Sequence, residues 1–202
     1  MIYLLSNCIF TKLKQRYLIM LNVKKGCLLI SEPLLNDPVF FKSVILITHH
    51  TNNESIGLVL NQSTKVQLNQ IINDIPLNDF PVYIGGPVER NSIQFIHTLG
   101  SIVPNSQKIT KGLYWGGVFE EIVQLMVKNK ISKNQIRFFA GYSGWGSDQL
   151  KNEIKDNSWI THNVDVEICM KYSNEKLWSD LIKTKSKKHA LWVNIPKDPS
   201  MN

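Results

Sequence analysis

The chain has 202 residues and a mass of 23.2 kDa, with 43% hydrophobic and 19% charged residues, enough for one domain that buries roughly 70% of its unfolded surface. That composition excludes a disordered tail protein, and eleven Gly and eight Pro with no fixed period exclude collagen, solenoid and low-complexity architectures. The net charge of +7 sits at the two ends: between Met20 and Ile182 fifteen basic residues balance fifteen acidic ones, so the excess comes from Lys12, Lys14 and Arg16 and from the lysines after Ile182.

The first stretch, Met1 to Leu21, is apolar but interrupted by Lys12, Lys14, Gln15 and Arg16, well short of the roughly 20 residues a bilayer span needs. Its charges follow the apolar part and no small-residue cleavage site comes after them, which does not fit a secretory signal. The expected organisation is an N-terminal extension over residues 1–19, amphipathic or the product of an upstream start codon. A domain over 20–182 and a basic tail over 183–202 follow. Lysines at chain ends are ordinarily solvated, so nucleic acid or an acidic partner held through these tails is the less favoured reading. Cys8, Cys27 and Cys169 are odd in number and widely spaced, with neither CxxC nor zinc-ligand spacing. They read as reduced thiols of a cytoplasmic protein, with Cys27 and Cys169 as core residues in apolar runs.

From Gly26 to Ser31 an apolar run bounded by Glu32-Pro33 predicts a buried strand, and Asn36-Asp37-Pro38 a turn. Ser43 to His49 and Ile56 to Leu60, joined by the polar segment Thr51 to Ser55, predict a hairpin in the core. Leu68, Ile71 and Ile72 fall at helical spacing, with an end before Ile75-Pro76. Strands follow at Pro81 to Ile84 and Ser92 to His97, the second alternating between Ile93, Phe95 and His97 on one face and Gln94, Ile96 and Thr98 on the other. Leu113 to Gly117 is read as opening a helix whose stripe is Phe119, Ile122, Val123, Met126 and Val127, with Glu120 and Glu121 at its positive end. Ile136 to Tyr142 is a strand. The turn Gly141 to Gly146 then enters a helix carrying Leu150 and Ile154 and capped by Ser147 or Asp148. Trp159 to Cys169 suggests two short strands, and Glu175 to Ile182 a last helix. Runs of strands with irregularly placed helices predict an α+β fold, a single domain with a mixed, mostly antiparallel sheet flanked by helices.

The glycine-rich approach to a helix at Gly141, Gly144 and Gly146 either cradles an anion on exposed N–H groups or makes a tight turn that lets Tyr142 and Trp145 pack. Its GxxGxG order is neither the dinucleotide fingerprint nor a P-loop. Ser143 lacks the last glycine of a nucleophile elbow, which Trp145 replaces, and a histidine with an acid partner downstream is not identifiable beyond His162 or His189; a serine hydrolase is not favoured. His49 and His50 point to opposite faces of an extended strand and cannot both ligate one metal from it. Asn61, at the end of a buried strand, either fastens a loop or orients a ligand. The turns Gly85-Gly86-Pro87, Trp115-Gly116-Gly117 and Gly141 to Gly146, with Tyr83, Tyr114, Trp115, Tyr142 and Trp145 nearby, form a small glycine and aromatic pocket if they converge; an aromatic core cluster is the alternative.

The blocks Gly26 to Pro33, Asp37-Pro38 with Phe40, Ser43 to Leu46, Gly57 to Asn61, Val82 to Val88, Gly112 to Gly117 and Gly141 to Ile154 run in order along the chain. Together they resemble the YqgE/AlgH family. The resemblance implies a bacterial cytoplasmic protein of α+β fold, in a family carried under labels such as transcriptional regulator or uncharacterised protein. It supplies no reaction, cofactor, metal or catalytic residue. It adds Gln149 to the candidate pocket of Asn61, Gly85, Gly86, Tyr114, Trp115, Gly116, Gly141, Tyr142, Gly144 and Trp145. Three positions depart from the pattern: residues 1–19 lie outside it, Lys42 stands where arginine is frequent, and Val118 follows Gly116-Gly117 where an acid is expected. With no helix-turn-helix pattern and a neutral body, the regulator label fits the residues poorly. The leading expectation is a binding or regulatory module for a small ligand or partner protein. A nucleic-acid-associated regulator and an enzyme whose acid or base comes from Asp148, Glu153, His49 or His50 are the alternatives.

Overall fold

Strands β1 (Cys27–Ser31) and β2 (Val44–His50) are apolar on both faces, and the computed structural model, which describes residues 23–73, 75, 80–171 and 176–185, buries both. Alternate residues go to opposite layers: Leu28, Ile30, Val44 and Leu46 pack on one side, Cys27, Leu29, Ile45 and Ile47 on the other. Strand β3 (Glu54–Val59) completes the hairpin, with a bulge in β2 between Ile47 and His49.

The rest of the sheet comprises β4 (Ser63–Gln67), β5 (Pro81–Ile84), β6 (Val88–His97), β7 (Gln107–Thr110), β8 (Leu113–Trp115), β9 (Ile136–Gly146) and β10 (Trp159–Asn163). Its path runs β10-β1-β2-β3-β9-β6-β8-β7, with β4 and β5 branching from β9. Every pairing is antiparallel except β5 with β9. Four α-helices, α1 (Phe119–Val127), α2 (Gln149–Lys155), α3 (Val166–Met170) and α4 (Lys176–Lys183), cover the sheet among the described residues. This is the mostly antiparallel α+β domain that the run of strands predicts.

Strand β9 organises the molecule. Its last residues pair with β3, while Phe138 to Ala140 pair with β5 on one side and β6 on the other. The chain therefore crosses β9 between Ile84 and Val88, and the crossing is backbone on backbone. A β-carbon on Gly85 would lie 2.2 Å from the Gly141 carbonyl, one on Gly86 2.2 Å from the Tyr142 carbonyl, and one on Gly141 2.5 Å from the Val88 carbonyl. Arg137, fully buried on β9, donates to the carbonyls of Cys169 (2.6 Å) and Leu60 (2.7 Å) and lies over the Tyr83 ring. It ties α3 and the end of β3 to the core.

Several local expectations are corrected. The glycine segment 141–146 continues β9 rather than turning into a helix, because its backbone finds ladder partners in β3 and β6. Leu113 to Trp115 is strand β8, and the helix begins only at Phe119. Leu68 to Gln70 is one 3-10 turn; its expected end at Ile75-Pro76 reaches outside the described residues. Residues 166–170 form α3 rather than a strand, since Asp165 accepts from Glu167 N–H and caps the turn. Asp148 holds the position before α2 in a left-handed conformation, φ 59°, and makes no side-chain cap bond. Strands β4 and β7 carry no clean apolar alternation and escape the pattern. Cys8, the extension over 1–19, Met20, the start of the last helix at Glu175 and the tail beyond 185 lie outside the described residues.

Candidate functional site

The most constructed part of the surface is the loop between β1 and β2. Asp37 opens it, its Oδ1 accepting from the N–H groups of Val39 (2.8 Å) and Phe40 (3.1 Å), the side-chain turn that Asp favours. Phe40 is drawn inward against Trp145 and Trp159. Lys42 then takes φ 53°, a left-handed conformation costly for a residue with a β-carbon.

Two amides just after β3 hold it there. Asn61 Nδ2 donates to the Lys42 carbonyl (2.8 Å), Asn61 Oδ1 accepts from Val44 N–H (2.8 Å), and Gln62 Nε2 donates to the Val39 carbonyl (2.7 Å). Asn61 is thus the fastener of the loop, and Arg137 on the neighbouring Leu60 carbonyl fixes its own position. The Lys42 ammonium lies 5.4 Å from the ring centres of both Phe41 and Trp178, and its partial burial lowers its pKa. The opposite rim is the bulge of β6. Glu89 is also left-handed, φ 47°, with its carboxylate 3.5 Å from the Tyr142 hydroxyl, and Arg90 follows it. Gly141 makes room for this bulge: a β-carbon there would come within 3.2 Å of the Arg90 Cα.

Between the rims lies a hollow of about 520 Å³, lined by Pro38, Val39, Phe41, Lys42, Asn61, Gln62, Ser63 and Arg90. These carry two cations and no carboxylate. Sequence reasoning singles out Asn61 and notes Lys42 only as a departure. It misses Arg90, which the β9 crossing brings from a distant part of the chain. The polar triplet Asn61-Gln62-Ser63 closing an apolar strand is the signal that marks this place.

A second hollow of about 450 Å³ opens at the β2–β3 hairpin tip, where His50, Ser55, Asp148 and Lys151 meet over Leu150 and Ile154. His50 Nδ1 is 2.8 Å from Ser55 Oγ, directly across the hairpin, and His49 Nε2 is 3.4 Å from Glu54. Burial, and then the neighbouring His49, lower the His50 pKa. Among the described residues no three His, Cys, Asp or Glu side chains are placed to hold a metal.

The other residues singled out from the sequence fall into three groups by their contacts. Gly85, Gly86, Gly141 and Tyr142 meet at the crossing, with Gly144 against the Tyr142 ring. Buried Ser143 donates to the Gly85 carbonyl there (3.1 Å). On and after β8, Tyr114 stacks on the ring of buried His97 and the Gly116 carbonyl meets its Nε2, while Trp115, paired with Ile96, lies on the other face of the sheet, where its Nε1 donates to Gln94 (3.2 Å). The Leu99 N–H donates to His97 Nδ1, so Nε2 carries the proton given to the Gly116 carbonyl (3.1 Å). Trp145 and Gln149 join Trp159 on the Glu153 carboxylate, at 2.8, 2.9 and 2.6 Å. Of the eleven pocket candidates, Asn61 is the one that lines either hollow.

This sheet, crossed at one glycine knot and flanked by short helices, defines a compact α+β class known from solved structures. The protein DIP2367 of Corynebacterium diphtheriae shares it at a TM-score of 0.70 and 19% identity, over 86% of this chain and 93% of that one. The solution structure of AlgH from Pseudomonas aeruginosa shares it at 0.67 and 22%, over 86% and 95%.

The family follows from sequence: the AlgH-like (DUF179) family model matches residues 28–190, and the chain belongs to that family. A UPF0301 protein of Parabacteroides distasonis is 36% identical over 180 residues, covering 88% of this chain and 91% of that protein. One from Bacteroides thetaiotaomicron is 35% identical over 179 residues, covering 88% and 91%. No described helix is long and apolar enough to cross a membrane.

Proposed function

We propose that this chain is a cytoplasmic binding or regulatory module whose ligand seat is the hollow between the 37–42 loop and the β6 bulge. One observation carries the reading. Of the six left-handed non-glycine residues described, four are Asn or Asp, which tolerate that conformation; the other two are Lys42, which lines this hollow, and Glu89, which immediately precedes its lining residue Arg90. Strain of this kind costs about 1–3 kcal/mol per residue and gathers where a site needs a fixed shape. At Lys42 it is held by hydrogen bonds to and from Asn61 rather than relieved by glycine. The volume, about 520 Å³, suits a small molecule or one side chain of a partner.

The test is a thermal-shift screen of the full chain against nucleotides, organic acids, metals and short RNA and DNA, repeated on Ser63→Trp. Ser63 is exposed on the wall of the hollow, so a bulky ring there fills the seat without disturbing the core. A ligand at a hundred times its Kd adds about 2.7 kcal/mol, and that stabilisation is expected to vanish in the variant. Stabilisation that survives Ser63→Trp, or nucleic acid as the one binder with equal affinity for both proteins, overturns the reading and moves the function elsewhere on the chain.

A further inference from the structure

We propose that Lys185 is an acylation site: its amine, held between the Thr161 carbonyl and His162, takes an activated acyl group carried as a phosphate anhydride or a thioester. The site stands apart from the ligand seat above and does not rest on it. Strand β10 ends the sheet path, and its Thr161 carbonyl takes a side-chain donor, Lys185 Nζ at 3.0 Å. The same nitrogen lies 2.9 Å from His162 Nδ1. The turn that closes α4 delivers it: the Thr184 and Lys185 N–H groups donate to the carbonyls of Leu181 and Ile182, whose side chains are buried in the core.

In this contact Nζ donates and Nδ1 accepts, which leaves the imidazole proton on Nε2. An ammonium has three N–H groups and a neutral amine two, so the two acceptors match the amine. With one N–H on Thr161 and the other on His162, the lone pair points away from both, and the residue is only half-buried. Burial favours the same form by lowering the Lys185 pKa. His162 is kept neutral by burial and then by the Lys185 charge, against the opposite pull of Asp165. In the reaction the lone pair attacks the acyl carbon and forms the C–N bond. The nitrogen of the tetrahedral intermediate is then cationic, and its proton already points at His162 Nδ1. His162 takes that proton as the bond to phosphate or sulfur breaks, and passes it to the leaving group or to solvent. The product amide has one N–H and no charge, so acylation breaks one of the two bonds that hold the end of α4 on β10.

The experiment treats the full chain with acetyl phosphate and, separately, with acetyl-coenzyme A, and reads the initial rate at each lysine by peptide mass spectrometry. Lys128, exposed at the end of α1, is the reference. Near neutral pH Lys185 is expected to react on the order of tenfold faster than Lys128. That ratio should fall toward one as pH rises past the ordinary lysine value, where both amines are neutral, and in strong urea, where the contact is gone. His162→Asn, whose amide oxygen supplies an acceptor but takes no proton, should bring the ratio below about threefold and leave Lys128 unchanged.

Preference for Lys185 with either donor supports the site, and the faster donor names the acyl carrier. A Lys185 rate no higher than that of Lys128 with both donors overturns the site. A ratio that persists in urea overturns the part played by the fold, and one unchanged in His162→Asn overturns His162 as the base. Where His162→Asn does not fold, the pH and urea series on the unaltered chain decide alone.

Discussion

Replacing Asn61 by alanine tests the fastening of the 37–42 loop most directly. The side chain is 7% exposed and makes two 2.8 Å hydrogen bonds, one to the Lys42 carbonyl and one from Val44 N–H. Val44 is fully buried, so its N–H is left without a partner in a dry place, at a cost of about 1–3 kcal/mol. The Lys42 carbonyl lies nearer water and loses about 1 kcal/mol. With the left-handed Lys42 no longer held, the loop also gives back its strain, which offsets about 1 kcal/mol. The net expectation for Asn61→Ala is a loss of about 1–3 kcal/mol, or roughly 2–12 °C in Tm for a domain of this size.

Urea denaturation at neutral pH, with the slope unchanged, measures the loss. Asn61→Asp provides the sign test. Its carboxylate keeps the acceptor for Val44 but sets a negative oxygen against the Lys42 carbonyl, so at neutral pH it should match or exceed the alanine loss. In acid, once protonated, the group can donate to that carbonyl and recover stability relative to the wild-type chain. A loss below about 1 kcal/mol for Asn61→Ala would refute the fastening argument.

Four further outcomes are expected. Gly86→Ala, whose β-carbon would stand 2.2 Å from the Tyr142 carbonyl, should cost more than about 3 kcal/mol or prevent folding. Gly146→Ala, with nothing within 4 Å, should stay within about 0.5 kcal/mol on the same urea curve. Val118→Asp supplies the missing acceptor at the start of α1, where Val118 makes no side-chain cap, and should raise stability by about 1 kcal/mol in thermal melts. Burial holds the His97 pKa below its ordinary 6.5, so the native chain resists a proton that the unfolded chain accepts. Stability is then complete above pH 6.5 and falls as pH drops toward the lowered value, by at most about 1.4 kcal/mol per pH unit for this group. His97→Gln should remove that part of the slope between urea curves at several pH values. Cys169, its thiol pushed up to about 12 by burial, should resist iodoacetamide in the native protein and react at the rate of unfolding.

The fold was legible where the two faces of a strand share one demand. Cys27 to Ser31 and Val44 to Ile47 are apolar throughout because both layers of the core meet them, and that pattern marks a buried strand without help. The glycine segment misleads for a physical reason: Gly141 to Gly146 has turn composition, but the glycines there admit a crossing strand rather than a bend. Strands β4 and β7 are half exposed and polar, so nothing local distinguishes them from loop. At the site, Asn61 was legible as an amide needing partners. Its choice between loop and ligand rests on contacts with Lys42 and Val44 that only the folded hairpin supplies. Arg90 was out of reach for the same reason, since its place on the same hollow as Lys42 depends on the route taken across β9.

That route also sets the order in which the protein can be made. Strand β3 ends at Val59, but the β9 residues that cover its edge are the last of Ile136–Gly146. At roughly 5–20 residues per second, a ribosome needs several seconds to deliver them. Throughout that interval the β1–β2–β3 meander emerges with an open apolar edge, the kind of surface on which nascent chains pair with one another. The glycines at 85 and 86 wait as well, because the strand they must step over does not yet exist. Closure of the sheet is therefore a late, long-range event, and such contacts make folding slow. A chain stalled before residue 136 should occupy a holding chaperone, and one long enough for residues 136–146 to have left the ribosome should release it.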